Sequence, residues 1–234
     1  MSIQLSIDGF EQTLQEVEIL IEMAKECENN NQIKYGAINK SAFLLLASKF
    51  ENFIERILED YIDSICQLNL PCTQLPEILL IQHTFQLLNK IESYNAPHKH
   101  HKAKDVFKDV GQLWVTENNI SRLDIKCKFS YGKHGEKEFQ KLFNIIGFND
   151  IFSEIEITDR EESLYDDISE QIIVVDFKGK INSLTNLRNN ILHQDASPNL
   201  DVNMIEQYKK YIGQFAQKLI TLLNTKIIDL HSNC

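Results

Sequence analysis

The sequence predicts an all-α fold on three observations. Apolar residues recur at alternating three- and four-residue steps in several separate stretches. Glycine (8) and proline (4) are few among 234 residues, and a chain that is 43% hydrophobic and 25% charged has globular composition. Only the middle of the chain, to about Asp167, lacks a regular period.

The first helix is expected from Ser6 or Asp8, either of which suits an N-cap, through about Glu28, with Leu14, Val17, Leu20 and Ile21 on one side. The Asn29 to Asn31 run ends it. A much longer helix follows from about Ile33 to Gln67, where Phe43, Ala47, Phe50, Ile54, Ile57 and Tyr61 form one continuous apolar stripe. Pro71 and Pro76 interrupt the chain before a shorter helix from Ile78 to Ile91, and the His- and Lys-rich stretch Pro97 to Lys104 reads as an exposed loop.

Further on, Glu136 to Ile146 reads as a short helix, entered from the turn Tyr131-Gly132-Lys133-His134-Gly135 and left at Gly147. Ile172 to Val175 fits either a short buried strand or the lead-in to a helix, and the lead-in is the reading adopted. From Asp176 to His193 the pattern Phe177, Ile181, Leu184, Leu187, Ile191 is helical, and Gln194-Asp195-Ala196-Ser197-Pro198 stops it. The last helix, about Val202 to Leu230, carries Ile205, Tyr208, Ile212, Phe215, Leu219 and Leu222 at a spacing that suits a bundle helix or a dimer seam.

With no repeat, low-complexity tract or linker, the expectation is one domain over residues 1–234, with a helical core about 6–93 and 176–230 and an insertion about 94–175. Five scattered cysteines (Cys27, Cys66, Cys72, Cys127, Cys234) and an N-terminus without the basic-then-apolar layout of a secretory signal point to a reducing compartment, hence the cytoplasm. No apolar run approaches the 18 or so residues of a membrane span, so no membrane partner is expected. The net charge of −10 opposes a nucleic-acid role, because phosphate binding is driven by Lys and Arg displacing counterions. An RNA enzyme on this chain needs a local basic cleft.

The residues best suited to chemistry lie at the end of the motif helix, in Leu187-Arg188-Asn189-Asn190-Ile191-Leu192-His193. Arg188 and His193 are five positions apart, roughly 140° in rotation and ~7.5 Å along a helix axis, so they do not share a face. Asn189 does share one with His193, and the long Arg188 side chain can wrap towards both. RNA is cut without a metal when one group takes the 2′-hydroxyl proton, another protonates the leaving 5′-oxygen, and a cation stabilises the phosphorane. Histidine titrates near working pH, and the arginine fork matches two phosphate oxygens. One His193 cannot easily stand on both sides of the phosphorus, whereas two copies in a dimer can. Against this stands a plainer reading, that basic residues at a helix end complement the macrodipole and cap or bridge helices.

The segment Asn186 to His193 resembles the signature of the HEPN superfamily, an Arg with a polar residue directly after it and a His a few residues on. Ser41-Ala42-Phe43 through Ser48-Lys49-Phe50-Glu51-Asn52-Phe53 is similar to the long N-terminal helix of bacterial HEPN proteins of the RiboL-PSP-like group, and Tyr131 to Phe143 is loosely similar. The resemblance spans most of the chain. It implies a HEPN-type antiparallel helical bundle with an irregular mid-chain insertion, a homodimer with a composite cleft, and a metal-independent endoribonuclease acting on RNA, in phage defence or as a toxin with an antitoxin or regulatory partner. It also implies catalytic roles for Arg188 and His193, an orienting role for Asn189, and an auxiliary one for Glu51. Members modified by a partner nucleotidyltransferase carry Tyr two residues after the motif His, where this chain has Asp195, so that mode of control is not expected. The reading from a different class is a non-catalytic dimerisation or interaction module, and a third is an acidic regulator that neutralises a basic partner.

Other signals are weaker. His98, His100 and His101 alternate with Lys in a Pro-flanked stretch that gives no fixed ligand geometry, so neither metal nor cofactor is expected. With Lys99, Lys102 and Lys104 they form the densest basic stretch, read as a solvated loop ahead of an RNA contact. Cys66 and Cys72 are spaced too widely for a two-spacer redox pair, and Gly132 and Gly135 lack the pattern of a phosphate loop. Glu51 and Glu55, one turn apart, read as a solvent-facing or salt-bridged pair ahead of a metal site.

Overall fold

The computed structural model describes residues 2–94, 97–115, 118–130, 135–161, 171–193 and 199–232. Among them, in chain order, are α1 (Ser2–Cys27), α2 (Gln32–Gln67), α3 (Glu77–Ile91), α4 (His100–Val115), α5 (Glu136–Ile145), α6 (Ile151–Glu154), β1 (Thr158–Glu161), β2 (Gln171–Val174), α7 (Phe177–His193) and α8 (Val202–Ser232), with short 3-10 turns between α2 and α4. The all-α expectation holds.

Local chemistry sets the boundaries. Asn31, the last of the Asn run, caps α2 by accepting from the Lys34 N–H at 3.0 Å. Gly147 ends α5 at φ +95°, a conformation that favours glycine, while the Phe148 N–H donates back to the Phe143 carbonyl at 3.0 Å. α3, α7 and α8 start within a residue of expectation. The Gln194 to Pro198 stop, the Tyr131 to His134 part of the α5 entry turn, Asp195 and Cys234 lie outside the described residues.

Three expectations need correction. α1 begins at Ser2, and neither Ser6 nor Asp8 caps it. Ser6 Oγ instead donates to Asp60 on α2 at 2.5 Å, and Asp8 accepts from Gln4 at 2.7 Å, so both polar groups are satisfied inside the helix. The His- and Lys-rich stretch is not a loop: Pro97–Lys99 forms a 3-10 turn and His100 opens a helix of 16 residues. Its inner stripe, Ala103, Val106, Val110 and Leu113, has helical spacing, and the basic residues before it mask that period. Ile172 to Val175 is not a helical lead-in, because Gln171–Val174 pairs antiparallel with β1 in the register Arg160 to Ile172 and Thr158 to Val174. Nor is the strand buried, since Ile172 and Val174 face outward and are 69% and 65% exposed. Ile172, Ile173 and Val174 are β-branched, which suits a pleated surface buried on one face only, where Ile173 is half-buried.

α2 is the centre of the core and is covered on several sides. α1 packs against it, joined by a short turn, and α8 lies against both. Ring contacts Phe43 to Tyr208 (5.6 Å) and Phe50 to Phe215 (6.1 Å) run α8 in the direction of α2, while Lys25 bonds Glu206 at 2.6 Å and Lys209 bonds Glu18, so α8 opposes α1. Phe215 also stacks on Phe177 of α7 at 4.7 Å and meets Phe139 of α5 at 5.5 Å. The mid-chain helix α5 therefore shares one core with the long helices.

Residues 118–130 cross the bundle as extended chain, with Leu123, Ile125 and Cys127 buried at period two. The Ile120 N–H donates to the Leu70 carbonyl at 2.8 Å, the Asp124 N–H donates to His83 Nδ1 at 2.7 Å, and Asp124 also pairs with Lys90. This segment fastens α3 to the end of α2. The hairpin is pinned to α8 through Asp159, which accepts from the Tyr211 hydroxyl at 2.6 Å and from Lys210; these donors hold its carboxyl down at about 2. Cys27, Cys66, Cys72 and Cys127 are buried free thiols.

Candidate functional site

α7 is buried most deeply in its N-terminal half, and its last two residues are exposed. Phe177, Ile181 and Leu184 are buried, Arg188 and Asn189 are half-buried, and Leu192 and His193 are exposed. The apolar period buries the helix to Leu184, Leu187 and Ile191 still pack against the core half-buried, and the first apolar residue to be exposed is Leu192. His193 is the last residue of the helix.

Arg188 turns back to α2. Its Nη2 lies 3.6 Å from Glu51 Oε2, an ion pair too long for a hydrogen bond, and its Nη1 is 3.5 Å from Asn189 Oδ1. The Nε is buried and meets no acceptor among the described residues. Glu51 also borders a small cavity walled by Phe50, Phe129, Phe139, Leu184 and Thr185. These apolar walls push the Glu51 carboxyl from 4.5 up to about 7; the Arg188 charge opposes the shift and Glu55 adds to it. At neutral pH Glu51 therefore titrates beside Arg188.

Of the four residues singled out in the sequence, the structure brings Arg188, Asn189 and Glu51 together within one chain. His193 stands one helical turn beyond Asn189, at the exposed end. Glu55 does not join the group. It accepts from the Phe129 N–H at 2.8 Å and pairs with Lys128 at 3.1 Å, so the two carboxylates face different cations. Sequence reasoning did not single out Thr185, which is buried one turn before Arg188 and donates to the Ile181 carbonyl at 3.0 Å. Its spacing from Arg188 is the signal that marks it. Nor did it single out Phe129, whose place against Glu51 depends on the extended segment and has no local signature.

A helical bundle with a basic motif at the end of its penultimate long helix, tied to its central helix, is the HEPN class of domain. A family model described as RiboL-PSP-HEPN matches residues 11–229, and the chain belongs to that family. The family is associated with RNA cleavage, which makes the chain a HEPN-type nuclease or a related module. Nothing among the curated proteins or the solved structures matches it. No helix among the described residues is long and apolar enough to cross a membrane.

Proposed function

We propose that the protein is a metal-independent endoribonuclease whose site is completed by two copies of the α7 motif in a homodimer. The observation that carries this reading is the arrangement at the end of α7: a guanidinium held from behind by Glu51 and Asn189, with an exposed imidazole one turn further out. The half-buried Glu51 carboxylate on α2 and the Asn189 side chain hold the Arg188 fork beside the exposed end of α7. Leu192, 48% exposed beside His193, supplies apolar surface where a second copy would dock.

In this reading His193 of one copy takes the proton from a 2′-hydroxyl, and that oxygen attacks the adjacent phosphorus. His193 of the other copy gives a proton to the departing 5′-oxygen, and Arg188 stabilises the charge that gathers on the non-bridging oxygens. The products are a 2′,3′-cyclic phosphate and a 5′-hydroxyl. Asn189 orients the guanidinium. Glu51 is a positioning residue that acts through Arg188. With this activity the proposed role is that of a toxin or of a phage-defence enzyme in the cytoplasm, with an antitoxin or regulatory partner.

The test is cleavage of total cellular RNA by the purified protein in excess EDTA. Wild type is expected to cut, with His193→Ala lower by roughly 10²- to 10⁴-fold and Arg188→Ala inactive or nearly so. If all three remain folded dimers and none cuts, the interaction-module reading takes its place. Equal cutting by all three puts the site elsewhere.

A further inference from the structure

The mid-chain helix α4 carries a surface that the motif does not explain. At about 100° per residue, Ala103, Val106, Val110 and Leu113 point towards α3, and Val106 and Leu113 are buried there. Phe107 and Trp114 lie together on one edge of that face and are 59% and 45% exposed. Between them, one turn from each ring, is Gly111, where an added Cβ would meet nothing within 4 Å. Lys104 continues the same stripe at its N-terminal end, whereas Asp105 and Asp109 fall on the opposite edge. On the neighbouring helix the Thr84 hydroxyl accepts from Trp114 Nε1 at 2.9 Å, which fixes the indole plane, and the next residue, Phe85, is 55% exposed.

At the N-terminal end of this stripe the local charge is opposite to that of the chain. Residues 98–108 contain Lys99, Lys102, Lys104 and Lys108 with three histidines and only one acid, Asp105, in a protein of net charge −10. Two exposed rings with an open gap between them, next to clustered lysines, make a surface on which bases stack and phosphates are neutralised.

We infer that the Lys104–Phe107–Gly111–Trp114 stripe of α4 is a docking strip for single-stranded RNA. The inference rests on the RNA reading of the α7 motif and places substrate capture on a different element from cleavage. Stacking tolerates any base, so the strip binds without strong sequence preference, and its affinity falls with salt. A duplex, whose bases are already stacked, is a poor ligand.

The test uses the full chain carrying His193→Ala and a fluorescein-labelled 20-nucleotide single-stranded RNA of mixed sequence, in EDTA, read by anisotropy. Trp114 is the one tryptophan in the chain, so its emission reports contact directly and is expected to be quenched on addition of RNA. Phe107→Ala is expected to weaken binding roughly tenfold. Gly111→Glu, which meets open space and removes a helix-interior glycine, keeps the fold and places a negative charge in the gap; it is also expected to cost roughly tenfold. Lys104→Gln with Lys108→Gln lowers the slope of log affinity against log salt by roughly 1.4. Unchanged affinity in both Phe107→Ala and Gly111→Glu overturns the strip. So does a change of sedimenting mass in Gly111→Glu with RNA binding intact, which assigns the face to a protein partner. If wild type cuts RNA and the strip variants bind like their parent, the strip is wrong and the motif reading stands. If RNA binds through the strip and nothing is cut, the strip stands and the catalytic reading falls.

Discussion

Arg188 Nη2 lies 3.6 Å from Glu51 Oε2, and the two side chains are only 18% and 17% exposed, so the motif of α7 is tied to the middle of α2. The pair is unequal. Guanidinium groups as a class stay charged across the working range, whereas the apolar walls around Glu51 raise its carboxyl to about 7. How firmly the guanidinium is held therefore varies with pH across the neutral range.

That asymmetry predicts a pH signature in stability. The folded-state value for Glu51 is above its ordinary value of 4.5, so its contribution is fully present below about 4.5 and is lost as pH rises through about 7. Glu51→Gln removes the titration. The stability of Glu51→Gln relative to wild type should therefore rise between pH 4.5 and 8, by on the order of 2 kcal/mol once solvent screening is allowed for. Urea unfolding of both proteins across this range measures it. Parallel profiles would show that Glu51 is an ordinary surface carboxylate and that the pair does not position Arg188.

A composite site also makes activity depend on concentration. If each cleavage needs His193 from two copies, specific activity should fall about tenfold for each tenfold dilution below the dimer dissociation constant. Leu192→Glu places a charge beside His193 on exposed surface and should shift this threshold to higher protein concentration, with activity recovered when the protein is concentrated. Sedimentation velocity run alongside the cleavage assay reads both. Constant specific activity in samples shown to be monomeric would remove the dimer from the mechanism.

The parts of the molecule legible in the sequence are those where local chemistry and burial agree. α2 and α8 bury apolar residues at helical spacing, while Asn31 marks the start of α2 by side-chain capping and Gly147 the end of α5 by a positive φ. The motif on α7 was legible as residues, and so was Glu51 by resemblance. Their contact was not, because it joins positions 137 apart through the crossing of α7 on α2. α4 was missed for a different reason. It buries only a narrow stripe, and the dense His and Lys residues at its start gave the composition of a loop. The strand Gln171–Val174 differs from the helical lead-in expected because two of its three apolar residues, Ile172 and Val174, face outward, where burial gives no guide.

The place of α5 in the common core carries a stability prediction. Phe139 is 2% exposed and its ring meets those of Phe50, Phe143, Phe152 and Phe215 at 5.1 to 5.9 Å. Phe139→Ala should cost about 3–5 kcal/mol, since neighbours drawn from α2, α5, α6 and α8 cannot all collapse into the space. In a chain of this size that lowers the melting temperature by roughly 10 °C. A loss below about 1 kcal/mol, read by denaturant unfolding, would mean that the mid-chain region is attached to the bundle without supporting it.

Asn39 holds the junction that follows the motif. It is fully buried on α2, and its Nδ2 donates to the Leu200 carbonyl at 2.9 Å; nearby, the Val202 N–H donates to the Tyr35 hydroxyl at 3.3 Å. Leu200 is itself buried, so Asn39→Ala leaves its carbonyl without that donor and should cost about 1–3 kcal/mol. Asn31 offers the contrast, because it is exposed and its cap keeps much of its function with glycine in place. Asn31→Gly should cost only a few tenths of a kcal/mol. Urea midpoints at unchanged m-value compare the two directly. Equal losses would mean that the Asn39 to Leu200 bond adds little to the anchoring of α8 beyond the apolar packing of Val202 and Ile205.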